Sequence, residues 1–407
     1  MVAPADGGTG VVVQTLARRG AGGGRIAALD GIRGWAALVV LLSHMFSETN
    51  RSLLPEMANG LTRLLLDGNL AVYIFFILSG EALSAHYVRT HDLAFVRVLA
   101  ARRYFRLTIP ILMASGLVFL LMATGFSFAH PAGIIINRPD WLGAFLQFEP
   151  SWPSFLDYTL HRVYTQVHAD TDYVPFLWTM KIELRGSFVV FATLLLVNGL
   201  RPRQRIKVYA AAALAVLVFD RVLIGFICGL IFAELRAAGT MSQLRDRPSR
   251  WAMLILAIFA AAVTVSTMRA FELGTPVTSV AVSDLLTKLV LFKETHIEDF
   301  DFMNLYALLV MCLIFASRRL DRFFMSRLSK FLGRLSFPLY LVQFPVLISV
   351  TSGLIVRFVD PAHPDRAILY GIATLSVIVA IALAWAFARC ERFLLRHANA
   401  LVTRLVA

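Results

Sequence analysis

Residues 367–388 read AILYGIATLSVIVAIALAWAFA, a run without one charged side chain. A helix needs roughly 20 apolar residues to cross the ~30 Å hydrocarbon core of a bilayer, and this run suffices. Comparable apolar blocks recur along the chain, at 33–50, 68–88, 107–128, 174–198, 207–220, 221–236, 251–268, 303–316 and 332–357. In lipid every backbone N–H and C=O must find its partner within the protein, and unalternating runs of this length specify helices rather than barrel strands. The sequence therefore predicts an all-α fold, a polytopic transmembrane bundle of about 10 helices. The fifth and sixth blocks are short and meet at Asp220-Arg221, which leaves room for a tight hairpin or a re-entrant pair.

Composition agrees with this class. The chain of 407 residues is 58% hydrophobic and only 16% charged, against roughly 25% charged in soluble domains. Its net charge of +13 is unevenly placed. Lys and Arg crowd the segments on the N-terminal side of the bundle, whereas the long opposite segments, 129–173 and 269–302, are net acidic. Basic loops stay inside during insertion, so both the N-terminus and the C-terminus are expected in the cytoplasm, with the protein multi-pass in the plasma (inner) membrane. Basic charge spread over short membrane loops calls for lipid neighbours and no nucleic acid. Residues 1–24 are Gly-rich with no apolar core, and are expected to be a disordered cytoplasmic tail rather than a cleavable signal. The bundle is expected over 25–396, with a cytoplasmic tail at 397–407. A short interfacial helix is expected around 284–293. Cys228, Cys312 and Cys390 show no pairing or metal spacing and read as packing residues.

Ionisable groups within spans point to function by default, because they are costly in lipid. The first block opens Leu29-Asp30-Gly31-Ile32-Arg33-Gly34-Trp35 and reaches Ser43-His44-Met45. Eleven residues of helix make three turns plus about 20°, so Arg33 and His44 share a face, roughly 16 Å apart along the axis. His44 reads either as a general base or as a helix–helix hydrogen-bonding residue. Arg103 and Arg106 are three residues apart and also share a face. They read either as an inside anchor or as a clamp for an anionic group such as a phosphate. In Leu177-Trp178-Thr179-Met180-Lys181-Ile182-Glu183-Leu184-Arg185, three charges fall within five residues of a span. Lys181 and Arg185 share a face while Glu183 looks elsewhere, so all three need partners on other helices or a wet cavity. Glu81, after Phe75-Phe76-Ile77-Leu78-Ser79-Gly80, is a weaker candidate. Trp141 and Trp152 in the long segment read as sugar-stacking platforms or as ordinary interface anchors.

In order along the chain, these blocks resemble the acyltransferase 3 family of integral membrane O-acyltransferases, in its stand-alone form without a fused periplasmic esterase-like domain. The resemblance rests on Leu29–Gly34 with its spacing to His44, on 75–80, on Arg103 with Arg106, on Leu177-Trp178-Thr179 with Glu183, and on 332–341. That last block commonly continues to a histidine, where this chain has Gln343, a departure that argues against essential proton transfer there. The resemblance implies His44 as catalytic base, Arg33 as its partner on the first helix and Glu183 as a functional acid. It further implies Arg103 and Arg106 on acyl-CoA, with Trp178, Lys181 and Arg185 near the substrates. No permanently bound cofactor is implied, and acetyl-CoA is the expected donor. The expected reaction moves an acyl group to a hydroxyl of an extracytoplasmic carbohydrate such as exopolysaccharide or O-antigen. A transporter or flippase of an anionic or acylated substrate is the competing class, and a small-molecule acceptor the competing substrate.

Overall fold

The computed structural model describes residues 27–58, 65–168, 170–241 and 299–406, together with isolated residues 62, 243 and 257. The expected N-terminal tail, the block at 251–268 and the interfacial helix around 284–293 lie outside the described residues. Among those described, the regular structure is entirely helical. Five helices are long and apolar enough to cross a membrane: α1 (Ala27–Glu48), α2 (Gly68–Thr90), α3 (Leu93–Ala123), α9 (Arg327–Phe358) and α10, whose apolar part is Arg366–Arg396. The chain is thus a multi-pass membrane protein.

Between them, the described residues also form α4 (Thr179–Val197), α5 (Pro202–Phe219), α6 (Ile224–Ala237), α7 (Asp299–Ala316) and α8 (Arg318–Phe324). The fifth and sixth blocks are separate helices joined by the tight turn Arg221–Leu223. From Met303 onward α7 forms one bent pair with α8, kinked by 98°, which would make a sixth span if counted together. Backbone helix continues in α10 to Val406.

The starting point of α3 departs from expectation. The apolar block begins at 107, but the helix begins at Leu93 behind an Asp92 cap. Arg103 and Arg106 therefore stand on the spanning helix itself rather than on a cytoplasmic stretch before it. Hydropathy marks the lipid-facing portion of a helix, and charges that find partners inside a bundle let the helix run on.

Helices in lipid gain little from hydrophobic exclusion and associate by close packing over small residues. Here α1 lies along α9, and α2 along α6. A Cβ on Gly34 would meet Gly333 N at 2.3 Å, and one on Gly333 would meet Asp30 O at 2.3 Å. The glycines of the opening block thus serve backbone contact. On the second seam a Cβ on Gly80 would meet Phe226 O at 2.1 Å, and one on Gly229 would meet Ile77 O at 2.0 Å. Backbone atoms cannot rotate away, so Gly229→Ala forces α2 and α6 apart. We expect a loss of about 1–3 kcal/mol, the usual size of overpacking, seen as a lower melting temperature in detergent. An unchanged melting temperature would show that the seam is looser than described.

Residues 129–151 fold into short helical turns at the end of the bundle where α1 finishes, while 152–165 run back alongside α3, from Trp152 on Phe119 to Tyr164 on Thr108 and the Leu160 carbonyl on the Tyr104 hydroxyl. Arg138 ties this cap down, donating to the Glu48 carbonyl and, at 3.4 Å, to its carboxylate. The guanidinium also stacks 5.0 Å from the Trp141 ring.

Candidate active site

The last turns of α1, Ser43–Glu48, widen to π-helical hydrogen bonding, a local feature frequent at functional sites. Widening frees carbonyls, and nearby side chains take them up. Thr49 Oγ1 donates to His44 O at 2.6 Å and Asn50 Nδ2 to Met45 O at 3.2 Å. His44 is thereby set, half-buried, on the wall of a cavity of about 350 Å³. Its imidazole stacks on Phe176 at 3.9 Å and faces Trp141 at 6.2 Å. Its Nδ1 lies 3.1 Å from Gln343 Oε1 on α9.

Polar groups rim the same cavity: Glu48, Arg51, Asp67 and Asn69. Asp67 caps α2, accepting from Leu70 N at 2.9 Å. Burial raises its carboxyl above the usual range, against the lowering pull of the Leu70 and Asn69 amides. Trp178 and Tyr340 close the floor. The Tyr340 hydroxyl donates to Phe176 O and pairs with Thr179 Oγ1 at 2.8 Å, pinning the start of α4. Carboxylates and amides interleaved with aromatic faces suit a hydroxylated ring better than a purely apolar ligand.

Glu183 is in a second cluster, one and a half turns further along α4 from Trp178. Arg103 Nη2 donates to Glu183 Oε2 at 2.6 Å, and Ser79 Oγ donates to Oε1 at 2.6 Å. Arg103 Nε donates to Ser187 Oγ at 2.7 Å, which itself donates to Glu183 O at 2.6 Å. Both partners of the ion pair are close to nine-tenths buried. Helices α2, α3 and α4 are thus joined by one satisfied network, which is how a charge is tolerated at this depth. Glu183 does not line the cavity and makes no bond to His44; Gln343 holds that position instead.

The remaining site residues are scattered. Arg33 lies within electrostatic range of Glu81, a fully buried carboxylate paired with Arg236 Nε at 2.7 Å. Arg106 is exposed and lies within electrostatic range of Glu391 on α10. Arg185 is half exposed and pairs with Asp220 at 3.3 Å. Lys181 is half-buried, with no ion pair among the described residues, and neither it nor Arg185 lines the cavity. Trp152 is largely exposed and packs on Phe119 at 4.6 Å. The structure therefore unites His44 with Trp178 and gathers Arg103 with Glu183. To the first group it adds Trp141, Phe176, Tyr340, Asp67 and Gln343, and to the second Ser79. Trp141 was visible as a loop aromatic; Phe176 and Tyr340 had no signal separating them from core residues. Among the described residues no group of His, Cys, Asp and Glu is arranged to hold a metal ion.

A multi-pass helical bundle enclosing a histidine pocket beside a buried Arg–Glu pair defines a class of integral membrane protein with buried polar chemistry. The family model described as an acyltransferase domain, of the acyltransferase 3 type, matches residues 26–389, and the chain belongs to that family. It is also 27% identical over 278 residues to an acyltransferase, clz18, of Cochliobolus lunatus. That similarity covers 54% of this chain and 59% of the relative, so the chain spans little more than half of the relative's length. No solved structure matches the chain.

Proposed function

We propose that the chain is a membrane O-acyltransferase carrying an acyl group, acetyl in the first instance, from cytoplasmic acyl-CoA to a hydroxyl of an extracytoplasmic carbohydrate. The observation behind this reading is His44, fixed by Gln343 and stacked on Phe176 in a cavity that also offers carboxylates and Trp faces. In the step envisaged, the His44 imidazole takes the acceptor hydroxyl proton as that oxygen attacks the thioester carbonyl. The C–S bond breaks, and the departing thiolate takes the proton to leave as CoA thiol.

The reading places about ten spans in the plasma membrane with both termini cytoplasmic, so the cavity faces outward and the basic start of α3 faces inward. Exposed Arg106 is then the first contact for the donor phosphates. Arg103, with two nitrogens committed to Ser187 and Glu183, offers its remaining Nη1. The acyl arm reaches His44 through the bundle, a separation of about 16 Å from the level of Arg33.

The test is turnover of radiolabelled acetyl-CoA by purified protein in liposomes, with and without a soluble oligosaccharide acceptor. Acceptor-dependent release of CoA and transfer of label support the reading. Protein that neither binds nor consumes any acyl-CoA would overturn it.

A further inference from the structure

Gln343 is the feature of the site that stability does not explain. Its side chain is fully buried in α9, with 0% exposure. Its Oε1 meets His44 Nδ1 at 3.1 Å, and its Nε2 has no hydrogen-bond partner. A buried donor left unpaired forfeits its solvation without recompense, so an apolar side chain of the same shape would be the more stable choice. Interior positions that break a local rule in this way are where function is expected. The region is also built to hold them in register. The stretch of α9 immediately following, Leu347–Thr351, is π-helical like the turns around His44. Thr351 Oγ1 reaches back across the interface to Met45 Sδ at 3.6 Å.

We infer that Gln343 is a positioning residue: its carbonyl oxygen accepts the His44 Nδ1 proton, fixing the tautomer in which Nε2 holds the lone pair toward the cavity. An amide oxygen has no proton to give, so this contact requires Nδ1 to be the protonated nitrogen. A neutral imidazole with Nδ1–H has its basic nitrogen at Nε2. The opposite amide orientation would aim an N–H at Nδ1, place the ring proton on Nε2 and leave the base facing away from the acceptor. The charged and titratable groups sharing the cavity are Glu48 and Arg51 beside His44, Asp67 at the start of α2, and Tyr340 on α9. Among the described residues none of them hydrogen-bonds the ring, so the tautomer rests on Gln343. The inference deepens the acyl-transfer reading and depends on it for its kinetic consequence, not for the tautomer itself.

Two measurements separate those parts. The first is nitrogen NMR of protein labelled with ¹⁵N-histidine, the His44 signals being identified by their loss in His44→Ala. The wild type should show Nδ1 protonated and Nε2 bare, and Gln343→Met, which removes the acceptor at similar volume, should show mixed tautomers. A wild-type signal with the proton on Nε2 would overturn the inference, whatever the enzyme does. The second is the pH–rate profile of acetyl transfer. Partners that orient metal-bound imidazoles are worth about 10–100-fold, and we expect a loss of that order in kcat for Gln343→Met with KM little changed. Gln343→Glu retains an acceptor and stabilises the imidazolium, so it should restore kcat while moving the acidic limb to higher pH. Wild-type kcat and profile in Gln343→Met would also overturn the inference. A wild type with the Nδ1–H tautomer but no transferase activity would instead refute the acyl-transfer reading and leave the tautomer assignment standing.

Discussion

The His44→Ala variant is expected to lose acyl transfer, with kcat/KM down about 10²–10⁴-fold, the range a positioned general base supplies. The loss should fall on chemistry and spare binding of acyl-CoA, whose proposed contacts, Arg103 and Arg106 on α3, do not line the His44 cavity. Folding is the competing explanation and can be separated. Removing the imidazole strips the Gln343 side chain of its one hydrogen-bond partner among the described residues, within a fully buried setting, at a cost of roughly 1–3 kcal/mol. The same loss leaves Phe176 without the ring on which it stacks. Adding Gln343→Met to His44→Ala removes the orphaned amide, so the double variant should melt closer to wild type yet remain inactive. Stability restored without activity identifies His44 as chemical. Activity persisting in either variant would end its assignment as base, and parallel recovery of both would reduce it to a packing residue.

How far the sequence reached depended on whether a partner lay on the same helix. Spans such as α9 and α10 are read from hydropathy because lipid contact needs apolar side chains one after another. The start of α3 was misplaced because Arg97, Arg102, Arg103 and Arg106 interrupt that signal while the backbone stays helical. Helical spacing put Arg33 and His44 on one face, and it put Glu183 away from Lys181 and Arg185, as α4 bears out. It carries no information on partners across the bundle. Arg103 and Glu183 are 80 residues apart, and His44 and Gln343 are 299 apart. Gln343 was set aside at the sequence level because an amide cannot move protons, yet its value lies in that inability. The glycines at 34 and 333 look like part of a chemical signature but keep the backbones of α1 and α9 in contact, and Gly31 does the same against the Phe324 carbonyl of α8.

Arg103→Leu should be strongly destabilising. It leaves Glu183 close to nine-tenths buried with only the Ser79 hydroxyl and no cation. Breaking one partner of a buried pair typically costs 3–5 kcal/mol, because an uncompensated charge is left behind. Glu183→Leu should cost a similar amount, now stranding the guanidinium. The double change removes both charges, and well-packed apolar replacement of a buried pair is often neutral. Arg103→Leu/Glu183→Leu is therefore expected to melt near wild type, with a coupling energy close to the sum of the two single losses, about 6–10 kcal/mol across the cycle. Additive losses would show that the two side chains do not meet. Activity then separates structure from function. If the pair only staples α2, α3 and α4 together, the refolded double variant should transfer acyl groups normally. If the pair guides the donor towards His44, that variant should be folded and nearly inactive, with the defect rising in KM for acyl-CoA. We expect the second outcome, because an apolar pair of similar volume would hold three membrane helices as well without desolvating two charges.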